Sequence, residues 1–242
     1  MMAKSEDLRK NINQHKPKNE KSKLDDKLIY QAMYDTIDYL NQRFEKADNF
    51  KGYTLKFQDN LSYEEMISVI KRSNLRTEYE AFFRNCTIKP DGGVIVLTRS
   101  NDPDFFKIVL VSEVKRQGTN DVRQEEGKKK QSQGNAIERL GKNLTGIKAM
   151  LNHEKITPFV CFGWGCDFNQ KYTDDDFVMA KISMLNEFYP LNKIYVHKKD
   201  GSSDQNYFSP TSMFFREEAW TKEEMFEILK EVGETSIRYY LF

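Results

Sequence analysis

Ile88-Lys89-Pro90-Asp91-Gly92-Gly93-Val94-Ile95-Val96-Leu97-Thr98-Arg99-Ser100-Asn101-Asp102-Pro103-Asp104-Phe105-Phe106-Lys107-Ile108-Val109-Leu110-Val111-Ser112-Glu113-Val114-Lys115 reads as two strands around one turn. Val94 to Thr98 is apolar and β-branched, and Lys107 to Lys115 repeats that character. The segment from Ser100 to Asp104 between them is dense in turn formers. A hairpin with its apex at Asp102 sets Asp91 opposite Glu113. Opposite residues of an antiparallel pair have Cβ atoms about 4.5–5.5 Å apart, close enough for two carboxylates to share a divalent cation. The strand period of two places Val109, Val111, Glu113 and Lys115 on one face. An apolar face that ends in a Glu and a Lys is costly unless the charges are paired or bound to metal.

Taken singly, these features are ordinary. A Pro-Asp-Gly-Gly run is a turn, and a Glu-x-Lys at a strand end is a solvated rim. Their combination with matching hairpin geometry points to a metal-binding pair. Downstream, Arg116 to Gln133 has almost nothing to bury and contains Arg116, Gln117, Arg123, Lys128, Lys129, Lys130, Gln131, Ser132 and Gln133. By itself this is a solvated loop. Beside a metal pair it reads as an extended segment along DNA, with Lys and Arg on phosphates and Gln and Ser toward base edges.

From Asn135 to Asn152 the period is helical, with Ile137, Leu140, Leu144, Ile147 and Leu151 on one stripe. Asn135, Glu138, Arg139 and Lys142 lie on another. In the major groove adenine shows an N7 acceptor and an N6 donor. An ionised Glu accepts only and suits N6; Arg donates only and suits N7; Asn does both. Ala136 has the size to pack on a thymine methyl.

Pro90-Asp91 followed by Glu113-Val114-Lys115 resembles the PD-(D/E)xK nuclease signature. IKPDGG (residues 88–93), VLVSEVKRQG (109–118) and GNAIER (134–139) are similar to the corresponding stretches of the EcoRI family of restriction endonucleases, as is MFEILKEVGETSIR (225–238). The resemblance runs from Tyr53 to the end and is strongest from Ile88 to Asn143. It implies an α/β fold with a mixed central sheet of about five strands flanked by helices. It also implies a type II endonuclease that cuts both strands of a short palindromic duplex site with Mg²⁺. In that reading Asp91, Glu113 and the backbone carbonyl of Val114 hold the metal. Lys115 either orients and helps deprotonate the attacking water or stabilises the pentavalent transition state. A palindrome calls for a homodimer, and a cognate DNA methyltransferase is the expected genetic partner.

Asn135, Ala136, Glu138 and Arg139 match the family stretch that reads an inner AATT. The outer base pair is another matter. Gln131-Ser132-Gln133 stands where the family stretch is small and apolar. The segment from Lys181 to Leu185 contains Met184 and one basic residue where the similar stretch is arginine-rich. A degenerate outer pair, a different one and bare AATT all stay open. Two rivals are a DNA-binding protein that keeps the fold without cutting and a PD-(D/E)xK repair or junction nuclease. The intact Asp91, Glu113 and Lys115 speak against the first, and the base-reading stretch against the second.

The rest of the 242 residues supports one α/β domain over 25–242, preceded by a flexible polar arm over 1–24 that is either an inert tail or a basic arm on phosphates. With 38% hydrophobic and 31% charged residues the composition is globular, and a net charge of +1 leaves any basic surface local. No apolar run approaches a membrane span and no secretory signal opens the chain, so a cytoplasmic prokaryotic protein with no membrane partner is expected. Cys86, Cys161 and Cys166 have no zinc spacing and read as free thiols, and His15, His153 and His197 are scattered. Asp25 or Asp26 is expected to cap a helix to Lys46 that turns Leu28, Ile29, Ala32, Met33, Ile37 and Leu40 inward. Tyr53–Phe57 is a short strand. Ser62 with Glu65, Thr77 with Glu80 and Thr221 with Glu224 are spaced as capping boxes. Phe159–Phe162 and Lys193–His197 read as strands, Phe177–Phe188 as a helix and 200–204 as a loop.

Overall fold

The computed structural model of the chain describes residues 16–72, 86–116, 125–128, 136–151, 154–166, 194–195 and 211–242. The elements are α1 (Lys16–Phe44), β1 (Tyr53–Gln58), β2 (Leu61–Ser62), α2 (Tyr63–Arg72), β3 (Thr87–Ile88), β4 (Val94–Arg99) and β5 (Asp102–Arg116), then α3 (Ala136–Met150), β6 (Phe159–Trp164), β7 (Ile194–Tyr195), β8 (Thr211–Arg216) and α4 (Lys222–Leu241). One sheet has the order β1-β4-β5-β6-β8-β7, while β2 and β3 pair separately. β1, β4 and β5 pair antiparallel; β5, β6, β8 and β7 pair parallel. β5 is therefore the seam of a mixed sheet and has a bonded neighbour on each side. The expected α/β architecture is present: five strands of substantial length, with the two-residue β7 added at one edge.

Both faces of the sheet are covered, which suits strands buried on two sides. On one face Ile29, Ala32, Met33, Ile37 and Leu40 of α1 pack with Met225, Leu229 and Ile237 of α4 over Leu97, Leu110, Val114 and Phe162. The two helices approach closely because Gly233 has no side chain; a Cβ there would lie 2.7 Å from Leu40 Cδ1. On the other face Leu140, Leu144 and Ile147 of α3, all 0% exposed, cover Val94, Ile108, Val111 and Phe159. The apolar stripe read from the sequence for this helix is its buried face.

Three sequence expectations need correction. First, α1 begins at Lys16, so Asp25 and Asp26 are inside the helix and do not cap it. Lys16 to Leu24, assigned to the flexible arm, are helical. The segment has no glycine, and Pro17 sits in the first turn, where its missing N–H leaves no bond unmade. Second, the hairpin apex is Ser100-Asn101, and Asp102 already pairs with Arg99. The anticipated register holds at Val96↔Ile108, Leu97↔Lys107 and Thr98↔Phe106, with irregularities on either side. One lies beside Pro103, which has no N–H to give the ladder. The other is a bulge that leaves Val94 opposite Val111 and Ile95 opposite Leu110. Third, that bulge moves Val109 off the face of Val111 and into the core under α1 and α4.

The capping boxes at Ser62 and Thr221 both form. Residues 1–15, the Thr77–Glu80 start, the Phe177–Phe188 helix, Met184, the 200–204 loop and the three histidines lie outside the described residues, as does most of Lys193–His197. Cys86, Cys161 and Cys166 are free thiols. Among the described residues no helix is long and apolar enough to cross a membrane.

Candidate active site

The bulge that displaces Val109 leaves Val111, Glu113 and Lys115 on the α3 side of β5. Val114, 7% exposed, is buried on the other side against α1 and α4 and so fixes the strand's rotation. Asp91 joins them from a turn, not from the strand partnership anticipated for it. The turn closes through Gly93 N–H to the Pro90 carbonyl at 3.1 Å. It is stitched to β5 by Gly92 N–H to Ser112 O at 3.0 Å and Ser112 N–H to Gly93 O at 3.3 Å. Two glycines make this possible. A Cβ on Gly92 would fall 2.0 Å from Ser112 Oγ and 2.9 Å from Ile29 Cγ1. Gly93 has φ +78°, in the left-handed region, and a Cβ there would meet Phe57 Cζ at 2.6 Å. The Pro-Asp-Gly-Gly run is thus a turn pressed against the strand that carries the second carboxylate.

The result is a three-residue cluster. Lys115 Nζ donates to Glu113 Oε2 at 2.6 Å and also to Asp91 Oδ2. Asp91 N–H reaches Glu113 Oε2 at 3.4 Å. Asn143 Nδ2 donates to the other oxygen, Glu113 Oε1. Side-chain exposure is 27% for Asp91, 0% for Glu113 and 14% for Lys115, so the cluster opens to solvent through Asp91. Burial pushes the Glu113 carboxyl up to about 7, with Lys115 opposing the rise and Asp91 adding to it. Burial also works against the Lys115 ammonium, yet Glu113 and then Asp91 overcome it and hold that group above its ordinary pKa.

When Glu113 is ionised, two carboxylates face one ammonium and the cluster is a positive charge short. Cys161, in register with Glu113 on β6, does not alter this, because full burial keeps its thiol protonated. The donors are oxygens only, the set preferred by a small hard cation. Among the described residues no group of three or more His, Cys, Asp and Glu could form a closed metal cage. A cation that uses one or two carboxylates and otherwise water and phosphate fits the pair.

Other candidates are less fully described. Ala136, Glu138 and Arg139 are on the first turn of α3, beyond the end of β5. Lys128 is exposed and pairs with Glu126 at 2.7 Å. Asn135, Gln117, Lys129, Lys130, Gln131, Ser132 and Gln133 lie outside the described residues. Two residues of the site escaped the sequence reading. Asn143 is one helical turn beyond Arg139, and that spacing was its signal. Asp26, exposed on α1, is raised in pKa by partial desolvation and then by Asp91, with Lys115 and Lys89 opposing. Nothing in its local sequence marks it, because α1 reaches the site only through tertiary packing.

A family model described as restriction endonuclease EcoRI matches residues 16–241. The type II restriction enzymes RsrI of Cereibacter sphaeroides and EcoRI of Escherichia coli are each 26% identical to the chain over 222 residues. The alignments take in 79% of this chain and 78% and 79% of those proteins. The solved structure of MunI restriction endonuclease in complex with cognate DNA is 16% identical. It covers 86% of this chain and 97% of that one, with a TM-score of 0.35, too loose a likeness to fix any detail.

Proposed function

The chain belongs to the EcoRI family of restriction endonucleases, and from that premise we propose that it hydrolyses one phosphodiester in each strand of a short palindromic duplex with an AATT core, as a Mg²⁺-dependent homodimer in the prokaryotic cytoplasm. The observation that carries this reading is the Asp91–Glu113–Lys115 cluster, one positive charge short and open to solvent on one side, with the helix that begins at Ala136 beside it.

Asp91, Glu113 and the Val114 carbonyl would hold the cation. When bound, it would polarise the phosphoryl oxygen and acidify a coordinated water. The protein's own groups do the rest. Glu113 is anchored by three donors and presents a fixed carboxylate. Asp91, on the solvent side, meets the incoming phosphate first. Lys115 is held protonated by both carboxylates and so begins as a donor, able to orient the attacking water and to neutralise charge that grows on the phosphoryl oxygens. Glu113 and Lys115 are 0% and 14% exposed, so charge would be managed where such interactions are stronger than in water.

Specificity is assigned to Asn135, Ala136, Glu138 and Arg139 for the inner AATT. Gln131, Ser132 and Gln133 are assigned to a relaxed or altered outer pair, and Gln117, Lys128, Lys129 and Lys130 to the phosphates. A dimer of isologous subunits places one cluster on each strand. The test is digestion of duplexes carrying AATT with every outer base pair, in Mg²⁺ or EDTA, followed by sequencing of the ends. Mg²⁺-dependent cutting at AATT is expected, with more than one outer pair accepted. No cutting of any duplex overturns the nuclease reading. Cutting of an unrelated palindrome alone overturns the roles of Glu138 and Arg139 and spares the catalytic centre.

A further inference from the structure

We infer that Asn143 is a positioning residue for the catalytic centre: its side-chain amide fixes the carboxylate of Glu113 from the same helix that carries Ala136, Glu138 and Arg139. The inference rests on the nuclease reading above.

Glu113 has no exposed surface, so each of its oxygens needs a donor from the protein. Oε2 takes Lys115 Nζ and the Asp91 N–H, both from the hairpin and its leading turn. Oε1 takes Asn143 Nδ2, from α3. Without Asn143 the carboxylate is held through one oxygen and is free to swing about it. An ionised carboxylate only accepts, so the amide must turn its NH2 group inward. A neutral donor suits this place: it satisfies the oxygen without adding a charge that would repel a cation, as a second Lys would.

The helix that delivers the amide is firmly set. Leu140, Leu144 and Ile147 are fully buried under the sheet and fix its rotation. At Gly146 it comes so close to Ile88 that a Cβ would lie 2.2 Å from Ile88 Cδ1. Ile88 is on β3, two residues before Pro90, so α3 braces the approach to Asp91 as well as Glu113 itself. Asn143 follows Arg139 by four residues, which puts the two positions on one side of the helix. A helix shift at its first turn therefore reaches Glu113 through a single side chain.

The test uses the full chain with Asn143→Ala and Asn143→Ser. It compares three readouts with wild type: the single-turnover cleavage rate of pre-bound duplex, the duplex affinity in EDTA, and the affinity of the DNA-free protein for MgCl₂ by calorimetry. Asn143→Ala is expected to slow cleavage and weaken Mg²⁺ binding by about ten- to hundred-fold each, with duplex affinity within about twofold. Asn143→Ser keeps a donor, able to act through a bridging water, and is expected to recover part of both losses. An unchanged cleavage rate overturns the inference. So does a loss of duplex affinity that accounts for the whole loss of rate, which would make Asn143 a DNA contact. If Asn143→Ala fails to fold, Asn143→Ser decides: the assignment requires partial loss of rate and of Mg²⁺ affinity together. A wild-type protein that cuts nothing yet binds Mg²⁺ more tightly than Asn143→Ala would break the nuclease reading and leave the positioning of Glu113 standing.

Discussion

Glu113 and Glu224 carry the same side chain in opposite settings. Glu224 sits at the start of α4, where it accepts from Arg216 at 2.5 Å and 2.8 Å and from the Thr221 N–H at 3.0 Å. Those partners, Arg216 first and then the Thr221 backbone, hold its pKa down to about 2. Glu113 is also ringed by donors, yet burial drives its pKa up to about 7. The difference is charge balance. At the cap one guanidinium answers one carboxylate at the surface. At the β5 cluster one ammonium answers two carboxylates, and Glu113 itself is shut off from water. The first group of side chains is balanced as it stands, whereas the second, with both carboxylates ionised, carries one negative charge that no side chain in the cluster answers.

The largest expected effect is on catalysis. Asp91→Ala, Glu113→Ala and Lys115→Ala are each expected to lower the single-turnover cleavage rate by about a thousand-fold or more. Glu224→Ala should leave the rate per folded molecule within about twofold. Circular dichroism establishes that the variants are folded. Unchanged cutting by Lys115→Ala would remove the cluster from the mechanism and end the contrast.

A smaller effect separates the two glutamates by pH. The folded state raises the pKa of Glu113 from 4.5 to about 7, so the folded protein binds the proton more tightly than the unfolded chain. Its contribution therefore favours folding below 4.5 and is lost as pH rises through about 7. In EDTA, Glu113→Gln should be more stable than wild type at about pH 8, by on the order of 1–2 kcal/mol, and close to it at about pH 5. Urea midpoints at the two pH values measure this. Mg²⁺ should stabilise wild type and not the variant. An equal midpoint difference at both pH values would mean that the charge of Glu113 is not what burial penalises.

The smallest effect is at the cap. Thr221→Ala removes the side-chain acceptor for the Glu224 N–H and should cost about 1 kcal/mol by thermal melting. Glu224 has a depressed pKa, so its contribution is present above 4.5 and is lost as pH falls through about 2. The gap between wild type and Glu224→Gln should therefore close on acidification, the reverse of the Glu113 pattern. Sensitivity of this gap to Mg²⁺ would erase the distinction between the two sites.

Local pattern made much of this legible. The spacing of Ile29, Ala32, Met33, Ile37 and Leu40 located the buried side of α1. The Ser62–Glu65 and Thr221–Glu224 spacings located two helix starts, because a capping box needs only neighbours in sequence. Asp91, Glu113 and Lys115 were drawn together by hairpin reasoning that had the middle register right. It missed the bulge at Val109 and the turn at Ser100-Asn101, since irregularities in a ladder come from packing across the sheet. Asn143 and Asp26 were missed for a related reason: both reach the centre from helices, and only the four-residue step from Arg139 to Asn143 hinted at either. The early start of α1 was hidden by polar composition, which suits a solvated helix as well as a tail.

The placement of β5 bears on how the enzyme folds. Lys115 and Asp91 are 24 residues apart and Glu113 and Asn143 are 30 apart, whereas the bond from Trp164 to Asp25 spans 139. Antiparallel pairing of β4 with β5 closes a short loop, but the parallel partners of β5 need long crossovers. Contacts between near neighbours in sequence form early because little chain entropy is lost in making them. The three charged groups should therefore meet while the parallel half of the sheet is still unformed. The hairpin would then carry its unbalanced charge into the collapse, and the arrival of α3, with Asn143 on it, would be the step that completes the cluster.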